Sequence, residues 1–154
     1  MIDILIPAML AAQPPAPPVR VCVPVCVRRA SELADAVARA AQAGDIVELR
    51  LDCLDEGERA AARAQLGALL AARTRPFILT FRPDTEGGHS ALRDDERRSF
   101  RRRLTFEHEG ETHAPDFADI ELDFDDERQI DEVSKTCGVL LSHHDFAGVP
   151  EDLE

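Results

Sequence analysis

Short apolar runs rich in β-branched residues alternate along this chain with segments whose apolar residues recur at helical spacing. The strand-like runs are 19–27, 45–51, 76–81, 119–122 and 138–142, and the helix-like segments are 32–43, 58–73, 94–104 and 127–136. Parallel strands need a long crossover connection, which is usually a helix, whereas a tight hairpin connects antiparallel strands. The alternation therefore predicts an α/β protein with a parallel sheet, either doubly wound or closed into a barrel.

Two missing motifs separate these architectures. No Gly-x-Gly-x-x-Gly follows the first strand, and the chain contains no Gly-x-x-x-x-Gly-Lys-[Ser/Thr] loop, so the phosphate-binding turns of nucleotide folds are absent from the sequence. We therefore favour a barrel over a doubly wound sheet, with five predicted strands in the chain. Ser31 is the predicted N-cap of the first helix and Gly44 its predicted end, whereas 106–115 matches neither pattern.

The net charge and the first residues of the chain limit the classes of binding partner and the cellular location that we expect. The 154 residues fit one domain, and 30 acidic against 18 basic residues give a formal charge of −12. That balance argues against nucleic acid, whose phosphates require basic patches, and against anionic membranes. Residues 1–10 lack the basic start of a secretory signal and are too short to span a bilayer. We assign 1–18 to a Pro-rich tail, 19–154 to the domain, and the protein to the cytoplasm.

The four cysteines, Cys22, Cys26, Cys53 and Cys137, form no Cys-x-x-Cys and no zinc-like pairing. Cys22 and Cys26 lie four apart in a strand-like run, too far apart along an extended chain to bond to each other. We expect all four to be buried free thiols, as is usual in a reducing cytoplasm. No histidine has a second ligand at a convincing spacing, so no metal site is predicted.

Charged side chains cluster where the predicted strands end, and barrel enzymes build their sites at such ends. Glu48 and Arg50 are two apart on the second strand and share a face, where burial is costly unless they pair or bind a ligand. Arg82 follows the third strand, and Glu86 precedes Gly87-Gly88, which lets the backbone approach a ligand closely. For Glu48 and Arg50 the alternative to a functional site is an ion pair at the solvated end of the strand. For Arg82 and Glu86 the alternative is an ordinary charged loop.

His143 and His144 follow the fifth strand. Adjacent residues of a strand point to opposite faces, so at most one of them faces the barrel mouth, where an imidazole suits proton transfer. The arginine-rich helix over 94–104 is expected to present a solvated face. Solvated positions are also expected for four further residues, namely Lys135, which is the single lysine, and His89, His108 and His113.

Several segments, in this order and spacing, carry a resemblance to a known family. They are 21–24, 45–52, 78–82 with 86–88, 93–97, 119–123, and 142–146 with Pro150. At these segments the chain resembles the type I 3-dehydroquinate dehydratases of the shikimate pathway, from about residue 19 to the end. The Glu-Leu-Arg-Leu-Asp, Thr-Phe-Arg…Glu-Gly-Gly and Ser-x-His-Asp-Phe elements are specific in combination.

The resemblance implies a fold, a mechanism and residue roles. The implied fold is α/β, a parallel (β/α)8 barrel of the TIM type that is incomplete here, with about five strands present. Family members remove water from 3-dehydroquinate to give 3-dehydroshikimate, through an imine between the ketone and a lysine. By matching motif, His144 is the catalytic proton shuttle and Glu86 the acid that helps to position it. Glu48, Arg50 and Arg82 correspond to substrate-binding groups. No metal or organic cofactor is implied, and the expected partner is the small-molecule substrate 3-dehydroquinate.

The chain departs from the family pattern in its lysine. The imine-forming lysine of the family lies on the strand after the His-Asp-Phe segment, beyond residue 154, and Lys135 is not assigned its role. Five strands would also leave two unpaired sheet edges, which favours pairing with a second copy as a homodimer. Three interpretations stay open: a dehydratase fragment inactive by itself, a non-catalytic remnant that binds a ligand or partner, and an unrelated imine-forming barrel lyase.

Overall fold

A computed structural model describes residues 18–89, 94–122 and 127–148, so the predicted tail over 1–18 lies outside the described residues except for Pro18. The strands in these ranges are β1 (Cys22–Val25), β2 (Ile46–Arg50), β3 (Phe77–Thr80), β4 (Phe106–His108), β5 (Glu111–His113), β6 (Phe117–Glu121) and β7 (Gly138–Ser142). The α-helices are α1 (Leu33–Ala43), α2 (Arg59–Ala71), α3 (Asp94–Arg101) and α4 (Glu127–Ser134). Within these ranges, no helix has both the length and the apolar character needed to cross a lipid bilayer.

Five strands form one parallel sheet in the order β1-β2-β3-β6-β7. The helices α1, α2 and α4 connect β1 to β2, β2 to β3, and β6 to β7, so these crossovers are the strand–helix–strand units that the alternation predicts. The α/β prediction is confirmed. The spatial order follows the chain order, as in a barrel, whereas a doubly wound sheet reverses its order at a switch point.

An antiparallel hairpin of β4 and β5 occupies the segment that matched neither pattern. Phe106 pairs with His113 and His108 with Glu111, which leaves a two-residue turn between the strands. Both turn residues have positive φ, 51° at Glu109 and 83° at Gly110. Such turns usually carry Asn-Gly or Asp-Gly, and a glutamate at the first position gives no comparable signal. The hairpin therefore could not be predicted from its turn.

The hydrophobic core lies between one face of the sheet and the helices. Val47 and Leu49 of β2 are fully buried and belong to one cluster with apolar residues of α1 and α2, such as Leu33 and Leu66. Each side chain of this size contributes about 1.5–3 kcal/mol on burial. The alternate residues of β2 are only partly buried and lie on the opposite face, so the predicted division of this strand is confirmed.

The predicted cap of the first helix is wrong, but its predicted end is correct. Ser31 lies inside a 3-10 turn, Ala30–Glu32, and no side chain caps α1. The carboxylate of Glu58 instead accepts a hydrogen bond from the N–H of Ala30 at 2.9 Å. Gly44 follows α1, and a Cβ there would lie 2.6 Å from Cγ2 of Val23. Close packing of the helix end against β1 therefore requires glycine.

The cysteine prediction is wrong for three of the four residues. Cys26 and Cys53 form a disulfide, and Cys22 is a free thiol but exposed. Cys137 is the buried free thiol that was expected. Because β1 and β2 pair in parallel, the residues that follow them meet, and the Cα atoms of Cys26 and Cys53 are 5.3 Å apart. Local spacing carries no information on a pairing across 27 residues.

The sheet ends in two outer strands, β1 and β7, which within the described residues pair on one side only. Apolar side chains at both edges are solvent-exposed, among them Val21 next to β1 and Leu141 in β7. A closed barrel leaves no strand edge unpaired. The described sheet is therefore an incomplete barrel.

Candidate active site

The carboxyl ends of the five parallel strands lie at one edge of the sheet, and every predicted site residue lies at or near this edge. Glu48 and Arg50 are in the last part of β2, and Arg82 lies two residues after β3. Glu86 closes a 3-10 turn, Asp84–Glu86, in the loop after β3, and His144 lies two residues after β7. Parallel pairing brings these strand ends into one neighbourhood, as in barrel enzymes.

His144 and Glu86 are in direct contact. The Nδ1 atom of His144 lies 3.2 Å from Oε2 of Glu86, and the glutamate side chain is buried while the imidazole is about one-third exposed. Both line a cavity of about 510 Å³ at the strand ends. An imidazole that is held at one nitrogen and that lines a cavity is suited to moving a proton to or from a bound molecule.

Both histidines after β7 line this cavity, which corrects the prediction that at most one faces the mouth. The prediction assumed that His143 and His144 continue the strand, but β7 ends at Ser142. Outside a strand, neighbouring side chains need not point to opposite faces. The second of the two, His144, contacts Glu86.

The loop after β3 is shaped by its two glycines, as the sequence indicated. Gly87 has a φ of 77°, in the left-handed region that favours glycine. A Cβ on Gly88 would overlap the backbone carbonyl of Arg82, and one on Gly87 would lie 2.7 Å from the ring of Phe146. The loop after β3 thus packs closely on itself and on the segment after β7, and this packing presents Glu86 to the histidine.

Arg82 lies between two carboxylates from neighbouring strands. Its Nη2 atom is 3.1 Å from Oδ2 of Asp119 in β6 and 4.0 Å from Oε1 of Glu48 in β2. All three side chains are largely buried, and an arginine so placed needs acidic partners to offset its desolvation. Asp119 was not among the predicted site residues. The sequence feature that could have indicated Asp119 is its spacing from Glu121. These two acidic residues lie two apart on one strand, as Glu48 and Arg50 do.

Arg50 forms a two-pronged ion pair with Asp52. Its Nε and Nη2 atoms donate to the two carboxylate oxygens at 2.9 and 2.7 Å. The backbone N–H groups of Arg82 and His89 donate to the same carboxylate at 3.4 and 3.2 Å. Burial by itself would raise the pKa of Asp52, but Arg50 and these N–H donors outweigh it and lower the pKa below 3.8. Mainly through its hydrogen bond to Asp52, the pKa of Arg50 is raised.

The arginine-rich helix α3 has the expected solvated face, where Asp95, Glu96 and Ser99 are exposed, but it also has a buried face that was not expected. Arg97 and Arg101 are buried, and both pair with the buried carboxylate of Glu121 at the end of β6, the first at 3.0 Å. Arg97 and Glu121 also line the 510 Å³ cavity. Neither was predicted as a site residue. For Arg97 the reason is that a run of charges on a helix is usually solvated. Lys135 is exposed after α4, as expected.

The structure thus assembles the predicted residues in three contacts. Glu86 contacts His144 at the cavity. Arg82 lies between the carboxylates of Glu48 and Asp119, and Arg50 forms an ion pair with Asp52. Glu48, Arg50 and Arg82 do not line that cavity. The loop after β3, which contains Arg82 and Glu86, connects these residues to it. Together the groups offer a proton-transfer imidazole and guanidinium donors at one edge of the sheet.

Comparison with known proteins places this arrangement in context. A family model described as type I 3-dehydroquinase matches residues 21–154. The 3-dehydroquinate dehydratase of Methanothermobacter thermautotrophicus is 32% identical over 134 residues, which cover 85% of this chain and 55% of that protein. The 3-dehydroquinate dehydratase of Streptococcus gordonii is 30% identical over 109 residues, which cover 71% of this chain and 45% of that protein. The chain spans about half the length of the curated relatives it matches.

A solved structure agrees with the sequence comparisons. The 3-dehydroquinate dehydratase of Enterococcus faecalis superposes with a TM-score of 0.68 at 29% identity, covering 85% of this chain and 55% of that chain. The fold is therefore that of the type I dehydroquinase TIM barrels, of which the described residues hold five parallel strands.

Proposed function

Because the chain belongs to the type I 3-dehydroquinase family, we propose that it is the amino-terminal portion of a barrel that converts 3-dehydroquinate to 3-dehydroshikimate and water. The family is one of lyases, specifically hydro-lyases. The observation that carries the proposal is the 3.2 Å contact between His144 and the buried Glu86 at the edge of an open cavity.

The contact gives each partner a role. An ionised carboxylate only accepts hydrogen bonds, so Nδ1 of His144 donates to Glu86 and Nε2 keeps its lone pair for a proton. In the proposed reaction His144 removes the C2 proton of the bound substrate and then returns it to the departing hydroxyl, which leaves as water. Glu86 is a positioning residue in this scheme, since it holds the ring and stabilises its protonated form.

Guanidinium groups supply substrate binding in the same scheme. Arg82 and Arg50 are held by Asp119, Glu48 and Asp52, so their donors are fixed before a ligand arrives. Preorganised charge-assisted donors bind hydroxyl and carboxylate oxygens with little loss of side-chain entropy. We assign Arg50 and Arg82 to substrate binding on this basis, and Glu48 by its matching motif and its contact with Arg82.

The lysine sets the limit of the proposal. In the family scheme a lysine amine condenses with the ketone, releasing water and forming an imine, and the imine withdraws the electron pair left by C2 deprotonation. Lys135 is exposed at the end of α4, away from the cavity lining. We therefore propose that these 154 residues alone do not turn over substrate and that the imine-forming lysine belongs to the part of the barrel that they do not contain.

A chimera tests the proposal. Residues 19–154 are fused to the remaining carboxyl-terminal part of the Methanothermobacter thermautotrophicus relative, and 3-dehydroshikimate is followed by its ultraviolet absorbance. We expect no turnover from the 154-residue chain and turnover from the fusion. His144→Ala in the fusion should lower kcat by roughly 10²–10⁴-fold, the usual range for losing a general acid–base group.

The matched control is His113→Ala, which removes an imidazole from β5 in the hairpin. It should leave kcat of the fusion within about twofold. Equal losses in the two variants would contradict the role of His144, and rapid turnover by the 154-residue chain would contradict the need for a further lysine. Circular dichroism of each variant separates misfolding from loss of chemistry.

A second function, a ligand-binding remnant without catalysis, is favoured by one observation. The cavity with Glu86 and His144, and the Arg82 contacts with Glu48 and Asp119, form within these residues without any lysine. Calorimetry with quinate distinguishes the two functions. Binding by the 154-residue chain, together with an inactive fusion, would support the remnant.

The biological setting forms part of the same proposal. We place the reaction in the shikimate pathway of aromatic amino acid biosynthesis, in the cytoplasm, with a homodimer as the expected assembly and 19–154 as the domain. For the 154-residue chain by itself, the exposed edges at β1 and β7 support self-association, whereas in a complete barrel both edges would be paired. The Cys26–Cys53 disulfide is unusual for a reducing compartment, and a cytoplasmic location therefore requires that this pair be reduced in the cell.

A further inference from the structure

Three side chains with the chemistry of metal ligands meet next to the proposed dehydratase site. Cys26 lies one residue after β1, Cys53 three residues after β2, and His89 in the loop after β3. The two sulfur atoms and one imidazole nitrogen all lie within 4.8 Å of one another. We propose that, when the disulfide is reduced, these residues form a three-ligand binding site for a thiophilic divalent cation such as Zn²⁺.

The three ligand atoms can reach the spacing that such an ion requires through side-chain movements, which include separation of the two sulfur atoms that are bonded in the oxidised pair. With Zn–S near 2.3 Å and Zn–N near 2.0–2.1 Å, the ligand atoms of a tetrahedral site lie roughly 3.4–3.8 Å apart. The imidazole therefore needs to approach by about an ångström, which a rotation of an exposed side chain provides. The 5.3 Å between the Cα atoms of the cysteines lets both sulfur atoms reach one ion.

The backbone around the three ligands is already held. The N–H of His89 donates to the carboxylate of Asp52 at 3.2 Å, and that carboxylate precedes Cys53 directly in the chain. The same carboxylate is gripped by Arg50, so the loop after β3 is tied to the end of β2 before any ion binds. Preorganised ligands lose less entropy on coordination than ligands on free loops.

The exposures of the ligands suit entry of an ion from solvent. Cys53 is buried, whereas Cys26 and His89 are exposed. Three protein ligands leave a fourth tetrahedral position, which water would occupy in the open site. The site would join the ends of β1 and β2 to the loop after β3, which also carries Glu86.

The oxidised pair and the metal site exclude each other, because thiolates bind the ion and a disulfide offers none. A dithiol reductant opens the bond: two electrons and two protons yield the two cysteine thiols, and the reductant becomes a cyclic disulfide. The cation then displaces the two thiol protons and forms two metal–sulfur bonds. The bound ion would protect the pair from reoxidation.

Cobalt and zinc titrations of the 154-residue chain test the site. After reduction by a dithiol and its removal without oxygen, we expect one equivalent of Co²⁺ to give a near-ultraviolet thiolate-to-metal absorption band that one equivalent of Zn²⁺ abolishes. The oxidised chain should give no such band. Cys26→Ser, Cys53→Ser and His89→Ala should each weaken Zn²⁺ binding in chelator competition by more than the roughly 10–100-fold that losing an outer-shell partner costs.

The matched controls remove the same chemical groups elsewhere. Cys22→Ser deletes an exposed free thiol near the start of β1, and His113→Ala deletes a hairpin imidazole; both should bind like the unmodified chain. Equal loss in the controls, binding by the oxidised chain, or no stoichiometric binding after reduction would overturn the proposal. If reduction unfolds the chain, recovery of the native circular dichroism on adding Zn²⁺ supports the site, and failure to recover contradicts it. None of these outcomes depends on dehydratase activity.

Discussion

The substitution Asp52→Asn perturbs one buried carboxylate while keeping its size and shape. Each oxygen of Asp52 accepts two donors: Oδ1 from Arg50 Nε and the Arg82 N–H, and Oδ2 from Arg50 Nη2 and the His89 N–H. An asparagine carries one oxygen and one NH₂ group. In either orientation its NH₂ opposes one guanidinium N–H and one backbone N–H, so two donors lose their acceptor.

The expected cost follows from this geometry. Asp52 is fully buried and the Arg50 side chain nearly so, and removing one partner of a buried ion pair costs about 3–5 kcal/mol. For a domain of this size that loss lowers Tm by roughly 6–20 °C, at about 2–4 °C per kcal/mol. The same change at Asp55, which pairs with Arg28 in an exposed ion pair, should cost at most about 1 kcal/mol.

The effect should also depend on pH. Because the pKa of Asp52 is lowered below 3.8 in the folded chain, the stabilisation by its charge is complete above the unfolded value of 3.8. It is lost as the pH falls through the lower folded value. The difference in unfolding free energy between the unmodified chain and Asp52→Asn should therefore be constant near neutral pH and shrink below pH 3.8.

Urea unfolding followed by circular dichroism, with the disulfide intact, measures these differences across pH. The reasoning is refuted if Asp52→Asn is no more destabilising than Asp55→Asn. It is refuted equally if the difference at neutral pH persists unchanged well below pH 3.8 in chains that are still folded, since the ion pair would then not be its source.

Two further predictions concern local packing and thiol chemistry. Gly88→Ala should destabilise the fold and loosen the loop after Arg82, because its Cβ would overlap a backbone carbonyl. Gly57→Ala, where a Cβ meets open space, should change the unfolding free energy by less than about 1 kcal/mol. Thermal unfolding compares the two variants, and equal effects would contradict the packing argument. Burial raises the pKa of Cys137 to about 11, so the rate of its alkylation, measured by mass spectrometry, should keep rising up to that pH. At pH 8 its alkylation should be slower than that of the exposed Cys22. A rate for Cys137 that levels off near pH 9 would contradict this prediction.

Local patterns predicted the elements and part of the site. The alternation of strand and helix patterns predicted the parallel sheet, and the period of two in β2 predicted that Glu48 and Arg50 share the face opposite the core. The glycines after Glu86 predicted a tight loop, which Gly87 and Gly88 form. Each of these features depends on residues close together in the chain, where spacing alone determines which side chains share a face.

Other features depend on contacts between distant segments. The disulfide of Cys26 and Cys53 arises from the pairing of β1 with β2. Arg97 and Arg101 of α3 are buried where Glu121, at the end of β6, supplies a carboxylate to both. In isolation an arginine-rich helix is typical of a solvated face, and a pair of separated cysteines is typical of free thiols. For that reason the prediction was wrong for Arg97 and Arg101 and for Cys26 and Cys53.

The sequence by itself determined the α/β class, the faces of the strands and the family that the motifs resemble, because hydrophobic period and short motifs are written in neighbouring residues. Only the tertiary structure decided that Arg82 lies between Glu48 and Asp119. The contact of His144 with Glu86, 58 residues apart, was implied by the family motifs, but its 3.2 Å geometry comes from the fold. Strand register and loop packing bring such groups within a few ångströms of one another. Because the register follows from the packing of the whole sheet and its helices, no local spacing encodes it.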